Sequence, residues 1–129
     1  MSASFSLTNH TKARLPRLAF ARIKDVVLGP RYNLSLVFVG DRRSRTLNST
    51  YRNKHYVPNV LSFPLSSTEG EVFINPRRAA REAPSFDMSV NTYIAYLFIH
   101  ACLHLKGFQH GVTMETTERR LLRRFKLTS

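Results

Sequence analysis

The segment SVNTYIAYLFIHACLHLKG, residues 89–107, decides how the rest of the chain is read. Ser89 suits a helix N-cap and Gly107 a helix end, and the residues between them are apolar on every face. That pattern predicts a long helix buried all round, with the rest of the molecule built against it. Yet it carries His100 and His104. Four residues apart, the two imidazoles share one face and can converge on one ion. Gly107 lets the chain reverse, so His110 can return as a third ligand. Three neutral nitrogens leave one coordination position open, the arrangement of a catalytic rather than a structural zinc site. The plainer alternative is a pair of satisfied core histidines, and a third imidazole just past a glycine weighs against it. Cys102 lies on the opposite side of the helix and is assigned to packing. His10 and His55 have no partners in sequence and are assigned to the surface.

Around this helix the chain reads as one domain, residues 1–129, long enough to bury roughly two thirds of its unfolded surface. Hydrophobic residues make up 43% and charged residues 22%, values that point to neither disorder nor a membrane protein. FSLTN (5–9) alternates like a short edge strand. LPRLAFARIKDVVLG (15–29) carries Leu15, Leu18, Ala19, Ile23 and Val26 at helical spacing, closed by Gly29. YNLSLVFVG (32–40) is β-branched and aromatic and reads as a central strand. DRRSRTLNSTYRNK (41–54) reads as a helix with Asp41 as N-cap and Leu47 and Tyr51 on one face. NVLSFPL (59–65) is an irregular strand that Pro64 confines to an edge or strand end, and GEVFIN (70–75) is a strand stopped by Pro76. PRRAARE (76–82) gives one or two helical turns. TMETTERRLLRRFKL (113–127) gives a closing helix with a threonine cap, its acids ahead of its bases along the dipole. The order β, α, β, α, β, β, α, α, α lacks the alternation of a doubly wound sheet. It predicts an α+β domain with a small mixed sheet against a mostly buried helix.

The charge balance points outward. Twenty Lys and Arg face eight Asp and Glu, a formal charge of +12, which favours an anionic partner: nucleic acid first, acidic lipid second. One cysteine excludes an internal disulfide and suits a reducing compartment, though by itself it says nothing about export; a cytoplasmic location is the expectation. The longest apolar run, Tyr93 to Leu105, falls short of the ~20 residues a spanning helix needs, so no membrane partner is expected. Residues 1–24 lack a secretory signal; they are Arg-rich and acid-free like an organellar transit peptide, but their strand and helix patterns favour folded structure.

The nearest general motif is HExxH, in which a glutamate beside the first histidine acts as general base. Here that place is Ala101, and no acid lies between Asp87 and Glu115, which argues against a peptidase of that type. Glu115 and Glu118 read as helix capping and surface charge.

HACLHLKGFQH, with its HxxxHxxxxxH spacing, resembles the signature of the YbeY family of metal-dependent endoribonucleases, rRNA maturation factors of bacteria and organelles. LNSTYRNKHYVPNVLSFPL (47–65) is similar to that family's Leu-Asn, Tyr-Arg and Asn/Asp-Val-Leu-Ser-Phe-Pro block, and GEVFIN stands where members have a Gly-Asp or Gly-Glu strand. The resemblance spans roughly Leu36 to the C-terminus. It departs at Ala101, commonly glycine, at Gln109, commonly aspartate, and at Pro58, usually threonine; losing the aspartate removes a group that would orient a ligand.

The resemblance implies a YbeY-like, zincin-like fold with one zinc ion held by His100, His104 and His110. It implies Arg52 as the catalytic or substrate-orienting residue, and single-stranded RNA as substrate, in particular a ribosomal RNA precursor at the 3′ end of 16S rRNA. A part in ribosome quality control, with the ribosome or its assembly factors as partners, belongs to the same implication. Asn59 and Ser62 are candidates for substrate contact, with backbone capping as the alternative. The arginine clusters Arg42, Arg43, Arg45 and Arg77, Arg78, Arg81, with Arg119 to Lys126, suit an RNA backbone or simply solvated helix faces. Two other readings stay open: a non-catalytic RNA-binding or ribosome-assembly factor stabilised by its metal, and a different metal-dependent hydrolase on the same scaffold.

Overall fold

The computed structural model describes residues 4–127; residues 1–3 and 128–129 lie outside the described residues. The elements are β1 (Phe5–Asn9), α1 (Phe20–Leu28), β2 (Asn33–Phe38), α2 (Asp41–Arg52), β3 (Val60–Ser66), β4 (Glu69–Ile74), α3 (Pro76–Glu82), a 3₁₀ turn (Ala83–Phe86), α4 (Val90–Lys106) and α5 (Val112–Arg124). The sheet runs β1-β2-β4-β3, with β2 parallel to both neighbours and β3 antiparallel to β4. Pro64 sits on the edge strand, and the ladder shifts between Pro64 and Ser66, as a residue with no N–H to donate requires.

The sheet buries both faces, unequally. From β2, Leu34, Leu36 and Phe38 join α1 and α4 in the main core, where Phe20 meets Phe98 edge to face at 5.1 Å. Val37 turns the other way, to a smaller cluster of Val39, Leu47, Leu61 and Phe73 beneath α2. Ten of the seventeen residues of α4 are buried, the all-round burial that its sequence predicts. Ser89 Oγ accepts from the Thr92 amide at its start. At its end Gly107 takes φ 111°, and the Phe108 amide reaches back to the Leu103 carbonyl at 2.9 Å, a Schellman closure.

Three helix starts differ from the sequence reading. α1 begins at Phe20, four residues beyond Pro16; Leu15 and Leu18 still pack on the core from non-helical chain. The later start turns Phe20, Ile23, Lys24 and Val27 inward and leaves Val26 exposed. Lys24 tolerates full burial because its ammonium meets the Asp25 carboxylate and Ser4 Oγ at 2.8 Å and the Tyr32 carbonyl at 2.9 Å. Gly40, not Asp41, caps α2; Asp41 opens the first turn and accepts from Asn75 Nδ2 at 2.8 Å, tying α2 to the residue that caps α3. Gly111 rather than Thr113 caps α5.

Gly70 marks a close approach between β4 and the core. A Cβ there would lie 2.5 Å from Tyr32 Oη and 3.1 Å from the Leu105 side chain. That hydroxyl is itself buried without a partner among the described residues. Gly70→Ala should therefore lower unfolding free energy by ~1–3 kcal/mol, the usual effect of overpacking. Tyr32→Phe should be neutral to stabilising, since it removes a buried unpaired hydroxyl, and should recover part of the loss in the double variant. Urea unfolding of the four proteins checks both; additive effects would contradict the contact.

Candidate metal centre

The three imidazoles that the sequence proposed come together. His100 and His104 project from the last turns of α4, and the Gly107 reversal returns His110 to them. Ring centroids lie 4.6 Å apart for His100 and His104, 4.5 Å for His104 and His110, and 5.1 Å for His100 and His110. One nitrogen from each falls within 4.8 Å of the others. His10 and His55 are exposed, as expected, and Cys102 is fully buried, its thiol pushed up in pKa by that burial and so inert.

Whether this cluster suits a cation depends on where the imidazole protons are. His104 Nδ1 lies 3.1 Å from the Phe108 carbonyl, which can only accept, so Nδ1 must donate. His100 Nδ1 lies 2.5 Å from a carboxylate oxygen of Glu118, and it too donates. A neutral imidazole has one N–H. Both Nε2 atoms therefore present lone pairs, and they face each other at 3.1 Å. Protonating one would relieve the conflict, but burial first, and then the neighbouring His100, hold the His104 pKa below its ordinary value. A cation bound between them would relieve it as well, and three convergent imidazoles suit one. Tetrahedral zinc with ~2.0–2.1 Å bonds would set two ligand nitrogens about 3.3 Å apart, close to the spacing already present. The donor set thus fits a metal ion.

Glu118 corrects the sequence reading, which left it as surface charge. It is buried to 4% exposure and grips His100 across 18 residues of chain. The available signal was its place on α5: with Met114, Leu121 and Leu122 it forms one stripe at helical spacing, a carboxylate where the pattern wants an apolar side chain.

The histidines open into a cleft of about 470 Å³ that Arg52, Tyr56, Asn59 and Ser62 also line. All six candidate residues thus share one surface. No carboxylate is among the described residues of its lining, and Ala101 is, where a HExxH enzyme would carry its base. Arg52 ends α2 and is exposed, its Nη1 3.4 Å from Asn48 Oδ1. Asn48 is fully buried and also donates through Nδ2 to the Tyr56 carbonyl at 3.1 Å, a structural role its sequence position alone did not reveal. Asn59 is largely committed: its amide donates to Glu82 Oε1 at 2.8 Å and lies 3.4 Å from the Tyr93 hydroxyl, which donates to the same oxygen. Burial, with the hydrogen bond to Glu82, pushes the Tyr93 pKa upward.

A family model described as endoribonuclease YbeY matches residues 6–126. The chain belongs to this family. Among curated relatives, an endoribonuclease YbeY of Mycoplasma mycoides subsp. mycoides is 36% identical over 88 residues, covering 60% of this chain and 54% of its own length. That of Alkaliphilus metalliredigens is 34% identical over 110 residues, covering 77% and 71%. The chain spans little more than half the length of the first relatives it matches, 54% and 56% in the mycoplasma and Finegoldia magna proteins. The solution structure of TM1509 from Thermotoga maritima has the same fold, with TM-score 0.69, 18% identity, and coverage of 94% of this chain and 88% of that one.

In this YbeY-family chain Gln109 is exposed beside His110, and the carboxylate that orients a cluster imidazole comes from α5 instead. Partners of that kind are commonly worth 10–100-fold in metal affinity. Glu118→Ala should accordingly weaken zinc binding by ~10–100-fold in competition with a chelating dye, with Glu118→Gln, whose amide oxygen still accepts, in between. Unchanged affinity in both would show that the His100 tautomer is set elsewhere.

Proposed function

We propose that this chain is a zinc-dependent endoribonuclease that cuts single-stranded RNA in the maturation of ribosomal RNA, at the 3′ end of a 16S rRNA precursor. On this reading it works in the cytoplasm, alongside the ribosome or its assembly factors, and takes part in ribosome quality control. One observation carries the reading: three converging imidazoles and one guanidinium line a cleft with no carboxylate among the described residues of its lining. A phosphodiester brings its own negative charge, so such a lining attracts it, whereas a peptide would need a base that Ala101 cannot supply.

His100, His104 and His110 would hold the ion. When bound, zinc supplies Lewis-acid polarisation and makes water more acidic. Glu118 and the Phe108 carbonyl keep the Nδ1 protons of His100 and His104 in place, so their Nε2 lone pairs stay available. Arg52 grips a phosphate with paired N–H donors and stabilises charge developing on its oxygens. The hydroxyl of Ser62 is free to meet substrate among the described residues, and Asn59 shapes the same wall through Glu82. Of the twenty Lys and Arg, only Lys24 and Arg78 form ion pairs among the described residues, which leaves a broad cationic surface for RNA. The relatives named above as endoribonucleases support the same assignment. Among the described residues no helix is long and apolar enough to cross a membrane.

Arg52 and the histidines should separate by experiment. A guanidinium carries no lone pair for a metal, so Arg52→Ala should keep zinc content and melting temperature while cleavage falls by ~10²-fold. His104→Ala should lose the metal and the cleavage together. Undiminished cleavage by Arg52→Ala would remove that residue from the mechanism. If wild-type protein loaded with one equivalent of zinc cuts precursor RNA no better than His104→Ala, the chain is an RNA-binding factor.

A further inference from the structure

Apart from the three imidazoles, Tyr56 is the one aromatic side chain among the described residues that line the cleft, and the fold makes no use of its ring. It is 54% exposed. Other exposed aromatics have company: Phe86 stacks on Tyr93 at 5.1 Å, and Tyr51 meets Phe63 at 5.6 Å. Tyr56 has no ring partner, and its hydroxyl no hydrogen bond, among the described residues. Its backbone, by contrast, is held. Asn53 turns the chain out of α2 at φ 55°, the Lys54 amide bonds the Asn48 carbonyl at 3.2 Å, and Asn48 Nδ2 bonds the Tyr56 carbonyl at 3.1 Å. The same buried Asn48 contacts Arg52 through its other side-chain atom. One amide therefore sets both the guanidinium and the loop that carries the tyrosine.

We propose that Tyr56 is a nucleobase platform, on which the base adjoining the phosphate held by Arg52 stacks. The ligand class follows from the pair: a flat π face beside a bidentate anion grip matches one nucleotide unit, and the cationic surroundings favour a polyanion. A base can lie on the ring only after leaving its own stack, so the platform selects single strands over duplex at the entry to the site. This rests on the endoribonuclease reading and deepens it, by naming the residue that senses strandedness.

The test uses zinc-loaded protein and a short oligoribonucleotide carrying 2-aminopurine, with quenching and affinity read on RNA recovered uncut. Wild type and Tyr56→Phe should quench the fluorescent base and bind alike. Tyr56→Leu, which keeps apolar bulk but loses the π face, and Tyr56→Ala should lose the quenching, bind about tenfold more weakly, and raise KM more than they lower kcat. An abasic nucleotide moved along the oligomer should cost wild type affinity at one position, and that cost should vanish in Tyr56→Leu. Quenching and affinity in Tyr56→Leu equal to wild type, or an abasic scan with no costly position, overturns the platform. A wild-type protein that quenches but never cuts overturns the nuclease reading and leaves the platform standing. Cutting by Tyr56→Leu with wild-type KM and quenching overturns the platform and leaves the nuclease.

Discussion

Two lone pairs facing each other at 3.1 Å are the constraint around which this molecule is arranged. The Nδ1 atoms of His100 and His104 are committed to a buried carboxylate and a backbone carbonyl. With both rings neutral, the Nε2 atoms are thereby left electron-rich and close together, an arrangement that a bound cation would relieve. Holding such a site requires rigid supports, and α4 provides one because it is buried on nearly every side. The Schellman closure at Gly107 contributes twice, since it aims the Phe108 carbonyl at His104 and turns the chain toward His110.

The second wall of the cleft is built by a different route. α2 sits on the opposite face of the sheet from α1 and α4, anchored by a small apolar cluster around Leu47, and its C-terminal end delivers Arg52 to the cleft. Asn48, one residue after Leu47, is buried with both ends of its amide in use. The three histidines and Arg52 therefore belong to separate layers joined through β3 and β4. That separation is why Arg52 should be removable without disturbing the ion.

What could be read from the chain was local. Helical periodicity, the Ser89 cap, the Gly107 stop and the spacing of His100 and His104 depend on near neighbours, and each appears in the structure as expected. Pro64 announced an edge strand through the donor it lacks. The start of α1 and the cap of α5 were misplaced locally, and the more consequential misreadings involve partners distant in sequence. Asp41 looks like a cap until Asn75, 34 residues on, claims its carboxylate. Glu118 looks like surface charge until α5 packs on α4. Asn48 is indistinguishable in sequence from an exposed helix asparagine, because its value lies in a loop that bends back to it. The cleft itself was legible only through family resemblance, which brought together Arg52 and the histidines before any geometry did.

The central claim is that the protein presents two deprotonated Nε2 atoms, with His110, to one metal ion. Ring ¹⁵N spectra of histidine-labelled protein titrated with zinc test it directly. The account predicts saturation at one equivalent, with His100 and His104 keeping their protons on Nδ1, and with Nε2 of both and one nitrogen of His110 shifting to metal-bound values. A proton found on Nε2 of either His100 or His104 at saturation, or a His110 ring that zinc leaves unmoved, would contradict it.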